Sequence, residues 1–191
     1  TLANDKTFEV GSFYVSGPLN LGTNSMAVTD NIAFQGTGAV TGTGTIFLTP
    51  RTGVDAAFSY NNASFTPTIR MLSGTYVVPG ASNLIGAPLI IDAGATLALN
   101  WSNLTTEGDV TVNGRITTTG TSSGFPTFYF NGTTFTNNGE VSNIAGQYFV
   151  FGFNQSITPR SQVVTGTGAW SPTELYFGAG QGGGTVPSKH L

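Results

Sequence analysis

Glu107 and Asp109 are the two side chains best spaced for chemistry. They are alternate residues, so on a strand they share one side. Two carboxylates held that way could act as acid and base on a glycosidic bond. Arg115 is the only base nearby, and Asp5, Glu9, Asp30, Asp55, Asp92, Glu140 and Glu174 are scattered singly. Trp101, Trp170, Tyr129 and Tyr148 have faces that could stack on sugars, but rings of this size bury large areas in cores. Trp170 and Trp101 fall with inward positions and are assigned to the core. The single His190 and the absence of Cys leave no thiol nucleophile, no zinc ribbon and no Ser-His scheme. No catalytic residue, cofactor or metal ligand is therefore expected, and the chain is not expected to be an enzyme.

The elements that would hold such residues come from an unusual composition. Of 191 residues only 8% are charged, while 27 are Gly and 30 are Thr. Six basic residues cannot neutralise a run of phosphates, so nucleic acid is not an expected partner. A net charge of -3 with 39% hydrophobic residues does not suit a disordered chain. No apolar run is long enough to span a bilayer, and the start lacks the charged and apolar regions of a signal peptide. Thr1 in place of an initiator Met suggests a processed or excised N-terminus. Helical periodicity is absent. Short alternating runs such as Thr7-Phe8-Glu9-Val10 and Asp109-Val110-Thr111-Val112-Asn113 read as half-buried strands, separated by Asn-Gly turns at 113–114, 131–132 and 138–139.

A repeat underlies these strands. Gly44, Gly74, Gly94, Gly114, Gly139 and Gly168 serve as anchors 20 to 30 residues apart. Four residues before them stand Val40, Arg70, Ile90, Val110, Phe135 and Val164. Two after stand Ile46, Tyr76, Thr96, Ile116, Val141 and Trp170. Thr96 is followed by Leu97, a slip of one. Apolar columns would fill an interior, and small polar residues between them would face out. Coils stacked about 4.8 Å apart would bring like residues into ladders. Arg70 and Asp92 fall in apolar slots. Slips of register explain both better than a buried ion pair, whose desolvation is costly. The repeat also puts Ala87 and Leu89 one coil before Glu107 and Asp109, so no acidic cluster is expected.

The expected fold is all-β, a right-handed parallel β-helix (β-solenoid) of about six or seven coils. A β-sandwich or jelly roll is the alternative, since it too has short strands and turns. Residues 1–191 would make one domain. Within it, 1–20 form an N-terminal cap or joining strand, 20–170 the coils and 171–191 an irregular Gly-rich tail. Phe125 to Phe130, with Tyr129, reads as an aromatic insertion or an outward strand.

Gly94-Ala95-Thr96-Leu97-Ala98-Leu99, Gly108 to Ile116, Phe135 to Val141 and Val164 to Trp170 resemble the rungs of parallel β-helices in large secreted bacterial surface proteins, adhesin and autotransporter-like passengers among them. The likeness is clearest over 86–170 and weaker over 20–80. It implies an extracellular, elongated protein and carries no catalytic residue across. The outer ladder would comprise Thr41, Thr43, Thr111, Asn113, Thr136, Asn138, Thr165 and Thr167. It resembles the flat Thr arrays of ice-binding solenoids, although Met71 and Ile91 interrupt its rows and Thr favours exposed strand faces in any case. Five Asn-x-Ser/Thr sequons, at Asn62, Asn100, Asn103, Asn131 and Asn154, allow glycosylation in a host that performs it.

The reading that results is an extracellular structural or adhesive surface module: a stalk, a passenger fragment or a self-assembling filament subunit. Its partners would be further copies, joined end to end or by a strand, other surface proteins, or glycans. A carbohydrate-binding or polysaccharide-cleaving β-helix is the first alternative, and an ice-binding Thr array the second.

Overall fold

A computed structural model describes residues 7–34, 39–51, 55–62, 65–79, 83–100, 102–118, 126–142, 148–151, 162–172 and 174–177. The chain makes eight similar passes. The first runs through β1 (Thr7–Val10), β2 (Phe13–Val15) and β3 (Leu19–Gly22), the second through β4 (Ser25–Val28), β5 (Ile32–Phe34) and β6 (Val40–Gly42). The third has β7 (Thr45–Leu48) and β8 (Ala56–Asn62), and the fourth β9 (Thr68–Val78) and β10 (Asn83–Ile85). The fifth has β11 (Leu89–Leu99) and β12 (Leu104–Thr106). The sixth has β13 (Val110–Val112), β14 (Arg115–Thr118) and β15 (Thr127–Phe130). The seventh has β16 (Thr134–Asn137), β17 (Glu140–Ser142) and β18 (Tyr148–Phe151). The last has β19 (Val163–Thr165), β20 (Ala169–Ser171) and β21 (Glu174–Phe177).

Each pass stacks on the one before in parallel. On the first face, Phe8, Met26, Ile46, Ile69, Leu89, Val110, Phe135 and Val164 occupy one column. On the second, Ala56, Tyr76, Leu97, Ile116, Val141 and Trp170 do so. The third face carries β2, β5, β8, β10, β12, β15, β18 and β21. The protein is therefore a parallel β-solenoid, with a coil count close to the expected six or seven. Sandwiches and jelly rolls are antiparallel architectures. Every named strand pairing here is parallel, which removes that alternative.

Alternation within each strand decides which residues go inside. In β4, β7 and the start of β9, Met26, Val28, Ile46, Leu48, Ile69 and Met71 point in and are buried. The corner between the first and second faces belongs to glycine in the later coils. A Cβ on Gly139 would stand 2.1 Å from the Gly114 carbonyl oxygen, so backbone rests on backbone there. The interior changes character along the axis. Ile, Leu, Val and Met predominate in the middle coils, with Phe58, Phe65 and Tyr76 among them, whereas Phe128, Phe130, Phe135, Phe149 and Phe151 crowd the later ones.

Several expectations are corrected. The stacked strands run from Thr7 to Phe177, wider than 20–170, so residues 7–20 stack as part of the first coil and 174–177 as part of the last. Residues 178–191 lie outside the described residues. Phe125 does too, but Thr127 to Phe130 is neither an insertion nor an outward strand. It is an ordinary rung between β12 and β18, with Phe128 and Phe130 fully buried.

The glycine anchors do not form one column. Gly44 precedes the first face, since Thr45 pairs with Thr68, whereas Gly114 follows it. Counting back from Gly74 and Gly94 also misses the interior. Inward partners on the first two faces are six residues apart in the sixth coil (Val110, Ile116) but eight apart in the fifth (Leu89, Leu97), with a register shift between Ile91 and Gly94. Arg70 and Ile90 are thereby turned outward, as the slip of register requires.

Tyr76 is fully enclosed, its hydroxyl reaching the Val28 carbonyl at 3.5 Å. Burial first, and the nearby Asp30 charge second, hold it well above its ordinary 10.0. An acid whose folded pKa is raised favours its neutral form in the native state. Its contribution is complete below pH 10.0 and is lost as pH rises beyond that, when only the unfolded chain ionises. Urea titrations of wild type and Tyr76→Phe should converge above that pH, with the wild type falling more steeply. Parallel curves would contradict this.

Candidate functional site

In the last three coils the first face and its corner with the second are built from one seven-residue unit. It reads Val110-Thr111-Val112-Asn113-Gly114-Arg115-Ile116, then Phe135-Thr136-Asn137-Asn138-Gly139-Glu140-Val141, then Val164-Thr165-Gly166-Thr167-Gly168-Ala169-Trp170. Val110, Phe135 and Val164 point in, so Thr111, Thr136 and Thr165 point out, paired in register. A second row lies beside them. Asn138 Nδ2 donates to Asn113 Oδ1 at 3.0 Å, and Thr167 is exposed above it. Thr111 and Thr136 are half-buried and Thr165 is exposed. The result is an uncharged array, two residues wide and three coils long, of groups that each donate and accept hydrogen bonds.

Six of the eight expected ladder residues are thus brought together: Thr111, Asn113, Thr136, Asn138, Thr165 and Thr167. Thr41 and Thr43 are not. Thr41 pairs with Asn20 in the separate β3–β6 ladder, and Thr43 sits exposed on the following turn, its N–H donating to the Gly22 carbonyl. The misplaced Gly44 anchor is the cause. Met71 and Ile91 do not interrupt the rows, because both point inward and are fully buried.

One row went unread. Ser25, Thr45 and Thr68 stand together on the same face nearer the N-terminus, with the Thr45 N–H donating to Ser25 Oγ at 3.3 Å and Thr45 pairing with Thr68. The signal was a hydroxyl residue followed by apolar–any–apolar, repeated in Ser25-Met26-Ala27-Val28, Thr45-Ile46-Phe47-Leu48 and Thr68-Ile69-Arg70-Met71.

The acids are taken up by the scaffold. Asp109 Oδ1 accepts from the N–H groups of Thr133 and Thr134 at 3.0 and 2.8 Å, tying its corner to the next coil. Glu107 shares that corner, the three-residue link between β12 and β13, and its N–H donates to the Ile85 carbonyl of the preceding coil. Asp92 meets Arg70 at 2.8 Å, Asp30 meets Arg51 at 3.2 Å and Glu140 meets Arg115 at 3.4 Å. Each pair links neighbouring coils at the surface, where such bridges contribute up to about 1 kcal/mol. Among the described residues no group of three His, Cys, Asp or Glu could hold a metal ion.

The aromatic and sequon residues divide. Trp170 is half-buried against Phe135, Phe149 and Phe151, with ring centroids at 5.5, 5.6 and 6.1 Å. Tyr129 is half-buried on β15, while Trp101 and the Tyr148 side chain lie outside the described residues. Asn131 is only 9% exposed, its Oδ1 without a partner, and Asn103 Oδ1 accepts from the Thr127 N–H. A glycan on either would displace the packing around it. Asn100 is half-buried at the end of β11, and the side chains of Asn62 and Asn154 are outside the described set. No helix among the described residues is long and apolar enough to cross a membrane. The chain matches no protein-family model, no curated protein and no solved structure.

Proposed function

We propose that this chain is an extracellular structural and adhesive module whose lateral face meets its partner. The observation that carries the reading is the in-register array of Thr111, Thr136 and Thr165 beside Asn113, Asn138 and Thr167. Hydroxyls and amides both donate and accept, and no charge lies within the array. A neutral, hydroxyl-rich surface such as a glycan layer matches that chemistry better than a polyanion or a lipid. Stacked coils hold the groups at fixed intervals, as a stalk or passenger segment requires. Further copies of the chain, end to end or strand to strand, are the other partners this reading admits.

Beads coated with insoluble neutral polysaccharide should retain the wild type. Thr136→Lys should reduce retention roughly tenfold, while stability changes by less than about 0.5 kcal/mol, as for an outward surface substitution. Equal retention of the two proteins, or none of the wild type on any neutral glycan, would sink the proposal. The two-way periodicity of the array also favours a second reading, attachment to ice. Thermal hysteresis in the wild type that vanishes in Thr136→Lys would support it.

A further inference from the structure

Two of the three Asn-Gly steps in the chain, Asn113-Gly114 and Asn138-Gly139, stand at equivalent corners between the first and second faces of the sixth and seventh coils. They are held alike. Both N–H groups of each step donate to one carbonyl of the coil before. Asn113 and Gly114 donate to Ile91 at 2.7 and 3.0 Å, and Asn138 and Gly139 to Val112 at 2.7 and 3.0 Å. Ile91 and Val112 are register partners, so the arrangement repeats from coil to coil. The Gly139 N–H also donates to Asn137 Oδ1 at 3.1 Å. On the outside the two side-chain amides are joined, Asn138 Nδ2 donating to Asn113 Oδ1.

An Asn-Gly step can react with itself, because glycine leaves the following nitrogen unshielded. The Gly nitrogen, stripped of its proton, attacks the Asn Cγ. A nitrogen–Cγ bond forms, the Cγ–Nδ2 bond breaks and ammonia leaves, giving a succinimide ring. Water then opens the ring at either carbonyl, to Asp or to isoaspartate. The net change is water in, ammonia out and a negative charge gained. The corner keeps the reactants apart. The N–H of the nucleophile is turned toward the preceding coil and bonded there, while the electrophile is held outward in the amide pair. The backbone cannot swing to bring them together, because the preceding coil fills the space beside each glycine. The carbonyls of Asp92 and Ala95 do so at Gly114, and those of Asn113 and Gly114 at Gly139.

We propose that Asn113 and Asn138 are latent deamidation sites, which the folded corner keeps inert and which react when their coil opens. Local opening that frees the glycine N–H then sets the rate. The reaction also makes the opening permanent. Isoaspartate lengthens the main chain by a methylene at a corner where backbone rests on backbone, so the coil cannot regain its register there. Either product puts a carboxylate into the neutral Thr and Asn array. Once both have reacted, two like charges stand in adjacent coils and repel. The inference goes beyond the adhesive reading and does not depend on it.

Peptide mapping by mass spectrometry of the whole chain, aged in mildly alkaline buffer, tests it. Asn113 and Asn138 should deamidate at least about tenfold more slowly in buffer than in the same buffer with denaturing guanidinium chloride, as expected where opening must break two backbone hydrogen bonds. Val112→Ala leaves both Asn-Gly steps intact but hollows the interior beside the carbonyl that holds Asn138 and Gly139. It should speed deamidation at Asn138 roughly tenfold, with isoaspartate accumulating there. If Val112→Ala does not fold, Ile116→Val, a smaller cut in the same coil, gives the same reading. Rates in buffer equal to those in denaturant at either site, or no acceleration in the variant that folds, would overturn the proposal.

Discussion

Phe135→Ala should cost about 3–5 kcal/mol, the range for deleting a large buried ring. Phe135 is fully buried and is the hub of the aromatic interior. Its ring lies 6.2 Å from Phe128, 5.3 Å from Phe130 and Phe149, and 5.5 Å from Phe151 and Trp170. Four of these contacts are near-perpendicular edge arrangements, which add to the area term. Its neighbours are on parallel strands pinned by hydrogen bonds, so the site cannot collapse to fill the cavity. Urea denaturation would register the loss directly, and the thermal midpoint should fall by roughly 6–20 °C. A change below about 1 kcal/mol would mean that this part of the interior is loosely packed.

Gly139→Ala should be as damaging with a single added methyl. Its Cβ would stand 2.1 Å from the Gly114 carbonyl oxygen and 2.7 Å from the Asn113 carbonyl group, all of it backbone. No flexible side chain can move aside, and the Gly139 N–H already donates to the Val112 carbonyl at 3.0 Å. Separating the two coils enough to admit the methyl breaks such bonds, for a loss of about 3 kcal/mol or more. Gly94→Ala is the matched control. Its nearest neighbour would be the Leu72 carbonyl oxygen at 3.5 Å, an ordinary contact. Reduced flexibility of the unfolded chain should leave that variant unchanged or more stable by up to about 1 kcal/mol. Comparable losses in both variants would show that coil-to-coil contact at the corner is not what requires glycine.

These residues also mark how far the sequence could be read. Phe135, Val141 and Trp170 were legible as interior positions, because the unit from 110 to 170 keeps inward partners on its first two faces six residues apart. The register that unites Thr111, Thr136 and Thr165 follows from the same constancy. Where the spacing stretches, as from Leu89 to Leu97, counting from glycine fails. A one-residue change turns Arg70 and Ile90 from the inside to the outside. Thr41 was misassigned for a related reason: small residues precede turns at every corner, and nothing local tells one corner of a coil from another. The inward placing of Asn137 was not legible, since an Asn in a Thr- and Asn-rich run looks like any outward residue until its pairing with Val112 is known.

The parallel ladders set how the molecule carries load. Their hydrogen bonds run along the solenoid axis, coil to coil. A pull along the axis therefore loads every coil-to-coil ladder in series, and the weakest of them yields first. A drag across the Thr and Asn face is shared by every coil that touches the surface, because each row of contacts is anchored in its own turn of backbone. Lengthwise strength is thus set by the weakest single interface, and sideways strength by the sum of the coils engaged.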